Sequence, residues 1–343
     1  MKAESFGHIL KFKRPAGTSR GILKVKESWF IVLRQGDRLG IGECGLLRGL
    51  SRDDRPGYEA MVEWACRNID LGPQQLDEAL VDWPSIRFGV EMAFRSFSST
   101  DPMILFPSEF TTGKKGIPIN GLIWMGDPDF IREQIAARIS EGFHCLKMKV
   151  GALDFDSEVE ILSQIRRNFS AHELEIRLDA NGGFDPESAL NKLEQLSGFE
   201  IHSIEQPITV EQHDKMAELV KSSPIPIALD EELIGVTSDD AQRKLLERIQ
   251  PHYIILKPSL LGGFAASSQW IDLAGAHGIG WWVTSALESS VGLNAIAQWT
   301  FGLNSNLPQG LGTGSLYTNN FASPLGVNGG NLWYGTSPWE VPV

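Results

Sequence analysis

At 343 residues the chain is long for one simple core and suits a barrel of about 250 residues with a smaller second domain. Apolar residues at 42% and charged residues at 22% exclude a disordered or fibrous chain, and a net charge of −12 argues against nucleic acid or an anionic membrane surface as partner. Three cysteines, Cys44, Cys66 and Cys145, are odd in number, far apart and flanked by apolar residues, which points to reduced thiols in a cytoplasmic protein.

Residues 1–13 alternate polar and apolar side chains and lack the charged and apolar regions of a signal peptide; no segment reaches membrane-spanning length. Residues 1–115 read as an α+β unit. Strands are predicted over 4–13, 21–35 and 39–44, and helices over 58–68 and 86–98. Between the first two strands, 14–21 carries Pro15, Gly17 and Ser19, as a plain hairpin connection or a flap over a site would. A second candidate flap, 45–51, follows the third strand.

From Ile117 a strand–loop–helix rhythm repeats with a period of about 25 to 30 residues, one unit of a (β/α)8-type barrel. Barrel strands are predicted over 117–119, 145–150, 174–179, 201–205, 225–230, 253–257 and 280–285, with a short eighth at 309–312. Helices are predicted over 129–141, 156–169, 186–196, 212–220 and 290–302, the first capped by Asp127 or Asp129. The barrel spans 116–314, and the tail, 315–343, with Trp333, Tyr334 and Trp339, reads as a return across the first domain.

Lys147-Met148-Lys149 sits inside an apolar strand, so both lysines point to one face. A Lys-x-Lys pair usually marks an edge strand showing its charges to water. Inside a barrel it needs carboxylates or an anionic ligand opposite, because a buried ammonium without a partner is costly. The chain supplies them: predicted strands end in Lys149, Asp179, Glu205, Asp230 and Lys257, and in such barrels those ends meet at one mouth. Asp179, Glu205 and Asp230 offer hard oxygen ligands suited to Mg2+, and no His or Cys joins them to favour zinc. A lysine on either side of a held substrate suggests proton transfer next to a carboxylate, with the cation neutralising the enediolate and Lys149 as base.

Across almost its whole length the chain resembles the enolase superfamily and its muconate-lactonizing subgroup, through Lys147-Met148-Lys149, Asp179-Ala180-Asn181, Glu205-Gln206-Pro207, Asp230-Glu231 and Lys257-Pro258. Within that subgroup it is most similar to the o-succinylbenzoate synthase family, through the segments 177–181, 257–263, 285–292 and 309–314. The resemblance implies a modified TIM barrel with an α+β capping domain, a small anionic substrate, and Mg2+, for which Mn2+ can substitute, on Asp179, Glu205 and Asp230. The implied reaction is syn dehydration of 2-succinyl-6-hydroxy-2,4-cyclohexadiene-1-carboxylate to 2-succinylbenzoate, as in menaquinone biosynthesis. Lys149 would take the α-proton and return it to the leaving hydroxyl. Lys147 would add positive charge beside it, and Lys257 would face the ring by a cation–π contact. Gly262 and Gly263 would offer backbone N–H groups to the succinyl carboxylate, joined by Thr284, Ser285 and Arg20; a Gly-Gly after a strand is equally often just a turn. Arg177 and Asn181 stand behind the ligands, Arg177 as an orienting group or an ion pair.

His202 and His213 lack partners at metal-ligand spacing and read as structural histidines, Trp124 lies just beyond the first barrel strand, and Glu231 and Glu232 read as a charged loop or as support for the ligands. Within the superfamily, racemisation or epimerisation of N-acylamino acids or dipeptides uses the same metal and opposed lysines. A catalytically silent barrel should have lost some of the five strand-end charges, and all are present. Oligomeric state is not legible.

Overall fold

A computed structural model describes residues 1–18, 21–151 and 154–342. The chain opens with three antiparallel strands, β1 (Lys2–Thr18), β2 (Gly21–Gln35) and β3 (Arg38–Cys44), in that order in one sheet. The predicted loop at 14–21 is instead mostly strand: β1 runs on to Thr18, which pairs with Gly21. The pairing register shifts between Lys11 and Ala16, and Pro15 falls in that irregularity, where a missing N–H breaks no ladder bond. The run Trp29-Phe30-Ile31-Val32-Leu33 is apolar throughout because β2 is covered on both faces. Phe30 joins the core shared with the barrel, whereas Ile31 and Leu33 pack under helices α1 (Tyr58–Arg67), α2 (Gly72–Ala79) and α3 (Pro84–Ser98).

Two short apolar segments compete for the first barrel position, and the prediction of 117–119 took the wrong one. Ile117–Pro118 forms a short strand, β4, while the barrel starts at β5 (Gly121–Ile123), paired in parallel with β6 (Cys145–Lys149). Pro118 lacks an N–H and suits an edge better than a buried parallel ladder. Gly121 suits the barrel because a Cβ there would lie 2.9 Å from Leu146 Cδ2.

Between β5 and β6 runs α4 (Pro128–Ser140), capped by Asp127, whose side chain accepts from Phe130 N at 2.9 Å. The alternation continues through α5 (Phe155–Asn168), β7 (Glu175–Asp179), α6 (Pro186–Ser197), β8 (Ser203–Glu205), α7 (His213–Ser222) and β9 (Ile227–Leu229). It ends with α8 (Asp239–Ile249), β10 (Tyr253–Leu256), the single turn α9 (Pro258–Leu261), α10 (Phe264–Ala276), β11 (Gly280–Val283) and α11 (Ser290–Gly302). Strands β5 to β11 form one seven-stranded parallel sheet. The predicted eighth strand is reduced to two isolated parallel bridges, Ile119 with Gln309 and Thr284 with Gly310, which join the two ends of the sheet. Among the described residues no helix follows it. The chain turns instead into a hairpin, β12 (Leu325–Asn328) and β13 (Asn331–Tyr334), whose second strand pairs with β4. On the way it touches β1: Lys13 N donates to Leu316 O, Thr318 N to Lys11 O, and Phe12 bridges to Tyr317. The fold is a modified TIM barrel with an α+β cap. No helix among the described residues is long and apolar enough to cross a membrane.

Candidate active site

Parallel pairing lines up the charged strand ends. Lys149 on β6 sits opposite Asp179 on β7, and Asp179 opposite Glu205 on β8. Glu205 pairs with Ala228 on β9, and Asp230 follows two residues on, its side chain returned to the same face. Lys257 follows β10. Since β7, β8 and β9 separate β6 from β10 in the sheet, Lys149 and Lys257 approach the mouth from across the ring.

The two lysines of β6 have different partners. Lys147 Nζ lies 2.8 Å from Glu205 Oε2 and 2.9 Å from Asp179 Oδ2. Burial by itself lowers an ammonium's pKa, but these carboxylates outweigh it and hold Lys147 well above the ordinary lysine value. Lys147 is a fixed cation. Lys149 Nζ lies nearer the mouth, 3.1 Å from Asp179 Oδ2 and 2.5 Å from Asn181 Oδ1. Asn181 also donates to Glu231 Oε1 at 3.0 Å, which places it as a link between Lys149 and Glu231. Lys257 bonds Asp230 and stands 3.9 Å from Glu205 Oε1. Burial, which would lower Lys257, is again outweighed, by Asp230 and Glu205.

The three carboxylates fit a divalent cation in chemistry and in what they leave unsatisfied. Glu205 Oε1 is buried and accepts no hydrogen bond. Burial, with Glu231 and Glu205 adding repulsion that Lys257 only partly offsets, pushes the Asp230 carboxyl well above the usual range. Burial also raises Asp179, but Lys147, Lys149 and Lys257 overcome it and hold Asp179 below the usual range. Among the described residues no three His, Cys, Asp or Glu side chains are gathered as a metal ion would hold them; Lys147 and Lys257 bond these acids.

A pocket opens above these groups. Its floor holds Lys147, Lys149, Asp179, Asn181, Glu231 and Lys257, and its walls include Trp124, Thr284, Ser285 and Leu287. The cap closes it with Leu23 from the β1–β2 hairpin and Leu47, Arg48, Gly49 and Leu50 from the second predicted flap. Thr284 Oγ1 and Asn120 Oδ1 are buried without hydrogen-bond partners, and both residues line the pocket. Asn120 escaped the sequence analysis, since nothing in an Ile-Asn-Gly loop distinguishes it from a turn residue.

Gly262 and Gly263 are placed elsewhere. Both N–H groups donate to Pro258 O, at 3.1 and 2.8 Å, and neither residue lines the pocket. The pair is needed for a turn: both have positive φ, and a Cβ on Gly263 would lie 2.1 Å from Glu91 Oε2, the carboxylate that receives Phe264 N. Arg20 lies outside the described residues. Arg177 donates to Glu175 Oε1 at 2.7 Å and to Pro308 O at 2.8 Å and stacks on Trp282, below the ligands. Ser285 lines the pocket, but its hydroxyl donates to Glu288 Oε2 at 2.7 Å. Glu232 accepts from Gln206 and pairs with His213 at 2.9 Å, a supporting contact behind Asp230.

A second buried polar cluster, also unforeseen, joins cap to barrel beside the pocket. Lys26, Ser28 and Glu43 meet Ser259, Glu288 and Ser289, and all six are almost wholly enclosed. The available signal was a glutamate inside the apolar run Leu39-Gly40-Ile41-Gly42-Glu43-Cys44.

Residues 131–338 match the family model described as "Enolase C-terminal domain-like". The o-succinylbenzoate synthase of Desulfotalea psychrophila is 47% identical, over 94% of this chain and 96% of its own length. The chain belongs to the o-succinylbenzoate synthase family of the enolase superfamily. A crystal structure of MenC from Desulfotalea psychrophila superposes with a TM-score of 0.87 at 42% identity, covering 97% of this chain and 99% of that one. At fold level the superfamily extends further. A dipeptide epimerase from Enterococcus faecalis, complexed with Mg and a dipeptide, gives a TM-score of 0.85 at 15% identity, covering 97% of this chain and 96% of that one. The chain is an enzyme of this family, and the pocket lies where the superfamily's barrel mouth is expected.

Proposed function

We propose that this chain is a carbon–oxygen lyase that converts 2-succinyl-6-hydroxy-2,4-cyclohexadiene-1-carboxylate to 2-succinylbenzoate, the step used in menaquinone biosynthesis. The observation that carries the reading is the barrel mouth: Lys149 and Lys257 reach the pocket from across the ring, with Asp179, Glu205 and Asp230 at or just past the ends of the strands between them and Asp179 open to the pocket. Identity of 47% over nearly the full length of a relative named for this reaction supports the substrate.

Asp179, Glu205 and Asp230 would hold Mg2+, with Mn2+ able to replace it. The cation supplies the positive charge that makes the α-proton of a carboxylate removable. Lys149 takes that proton. As an ammonium on the same face it then gives a proton to the departing 6-hydroxyl, so that one water leaves and the ring becomes aromatic. A syn elimination needs only one such group. Lys147, bonded to two acids and held charged, is a poor base and serves as a fixed cation near the carboxylate. Lys257 faces the ring from across the mouth, and the Thr284 hydroxyl and the Asn120 amide, both short of partners, are available to the substrate's polar arms.

The test is Mg2+-dependent loss of the cyclohexadiene absorbance on adding purified protein, with Lys149→Ala in parallel. Turnover abolished in the variant is the expected result. Inert protein that instead exchanges the α-proton of N-acylamino acids or dipeptides in D2O would overturn the reading in favour of racemisation or epimerisation, with Lys257 as the second acid/base.

A further inference from the structure

One stretch of the pocket wall is held in a backbone conformation that its sequence does not favour. Leu287, which lines the pocket, has φ of 65°, a left-handed conformation that a bulky L residue keeps only where its surroundings enforce it. Its N–H donates to Ser285 Oγ at 3.1 Å, and its carbonyl accepts from the Tyr317 hydroxyl at 2.7 Å. Ahead of it, Ala286 N donates to Glu288 Oε2 at 2.8 Å. Beyond it, the chain is held by one side chain of the cap. Glu43 accepts from Ser289 N at 2.9 Å, from Ser289 Oγ at 2.5 Å and from Gly292 N at 2.9 Å. Glu43 is itself fixed by Ser28, whose hydroxyl donates to it at 2.7 Å and accepts from Lys26 Nζ at 3.0 Å. Ser28 and Lys26 lie on β2, the strand whose start carries Leu23 onto the opposite wall of the same pocket.

We propose that Glu43, which does not line the pocket, is a positioning residue: by gripping Ser289 and Gly292 it keeps Leu287 left-handed, so that the cap sets the shape of a wall the barrel provides. Leu287 is then a specificity-determining contact for the apolar part of the substrate. Glu43 acts on how well the substrate is held, while the lysines act on the chemistry. The inference rests on the proposed catalytic role of this pocket.

The test compares Glu43→Gln, Leu287→Gly and the double variant in full-length protein. Glutamine keeps the size of Glu43 but turns an N–H group towards donors that need an acceptor. Glycine takes the positive φ of residue 287 without strain but removes its side chain. Glu43→Gln is expected to raise KM about tenfold while kcat changes less than about threefold, and the double variant to be no worse in KM than Leu287→Gly alone, the non-additivity of residues acting through one another. Amide hydrogen exchange over 285–292 is expected to speed up in Glu43→Gln relative to the barrel strands. An unchanged KM with a lowered melting temperature, or KM effects that simply multiply, would overturn the proposal and leave Glu43 a purely structural residue. If Glu43→Gln does not fold, Ser289→Ala, which removes one bond to Glu43 along with the Val291 N contact that caps α11, takes its place in the same comparison. Wild-type turnover of the cyclohexadiene carboxylate tests the catalytic reading separately. Should wild type act instead on N-acylamino acids or dipeptides, KM is compared on those substrates, and should it turn over neither, hydrogen exchange decides.

Discussion

Lys147 and Lys149 stand one residue apart on one strand, yet one turn of the pleat separates a locked cation from a group at the mouth. Lys147 is clamped between Asp179 and Glu205, while Lys149 donates to Asp179 and to the side-chain oxygen of Asn181. Thr284 provides a sharper residue-level test, because its hydroxyl satisfies nothing in the protein. Thr284→Val should leave the melting temperature unchanged or raise it, and raise KM about three- to tenfold, the worth of one hydrogen bond to substrate. An unchanged KM would remove Thr284 from the substrate contacts. Glu288 carries a pH dependence. Burial lifts its carboxyl above 4.5, partly countered by Lys26 and by bonds from Ser259 and Ser285, while Glu43 nearby adds to the lift. Just above pH 4.5 the folded chain keeps a proton that the unfolded chain has released, so this group's contribution to stability falls as pH rises through that window and is level beyond it. Melting temperatures of wild type and Glu288→Gln across that range should therefore diverge, with wild type losing ground as pH rises. The five strand-end charges were legible because a period of two fixes which side chains share a face. Glu43 and Asn120 were not, because Glu43 finds its partners 246 and 249 residues away and Asn120 is distinguished only by the pocket it meets.

Elements with a strong local signal appeared nearly where expected, and those defined by their neighbours did not. Helix α11 begins and ends at the predicted residues, and α4 starts from Asp127, one of its two predicted caps. The first barrel strand moved by four residues at its start because Ile117–Pro118 and Gly121–Ile123 are equally short and apolar, and only their partners, β13 for one and β6 for the other, separate them. The 14–21 segment read as loop from its Pro and Gly, but pairing with β2 across an irregularity overrode that local preference. The contact between β3 and α3 makes a demand that composition alone does not announce. A Cβ on Gly42 would lie 1.8 Å from Gly89 O, so strand and helix touch backbone to backbone. Gly42→Ala should destabilise the protein by about 3 kcal/mol in urea unfolding, as overpacking of a rigid contact does. A loss near zero would mean that α3 can slide away from the sheet at no cost.

At the scale of the whole molecule, cap and barrel share one core. Phe30, Ile41, Phe88 and Met92 of the cap belong to the same apolar core as the barrel strands, and the Glu43 cluster crosses the boundary as well. Calorimetry of the full chain should therefore show a single unfolding transition with no separate melting of the first hundred or so residues. Two resolved transitions would contradict this shared core. The overall architecture was legible from the strand–helix rhythm, whereas the joining of cap to barrel rests on side chains brought together only by folding. The way the barrel closes has a consequence for how the protein is made. The ring is completed by Ile119 meeting Gln309, and β4 waits for β13. During synthesis the seven parallel strands therefore emerge as an open sheet with β5 and β11 as bare edges, and the nascent chain cannot hide them until Gln309 and Gly310 have emerged as well. The interval between the appearance of the first edge and the arrival of its seal is when those edges are open to pairing with another chain.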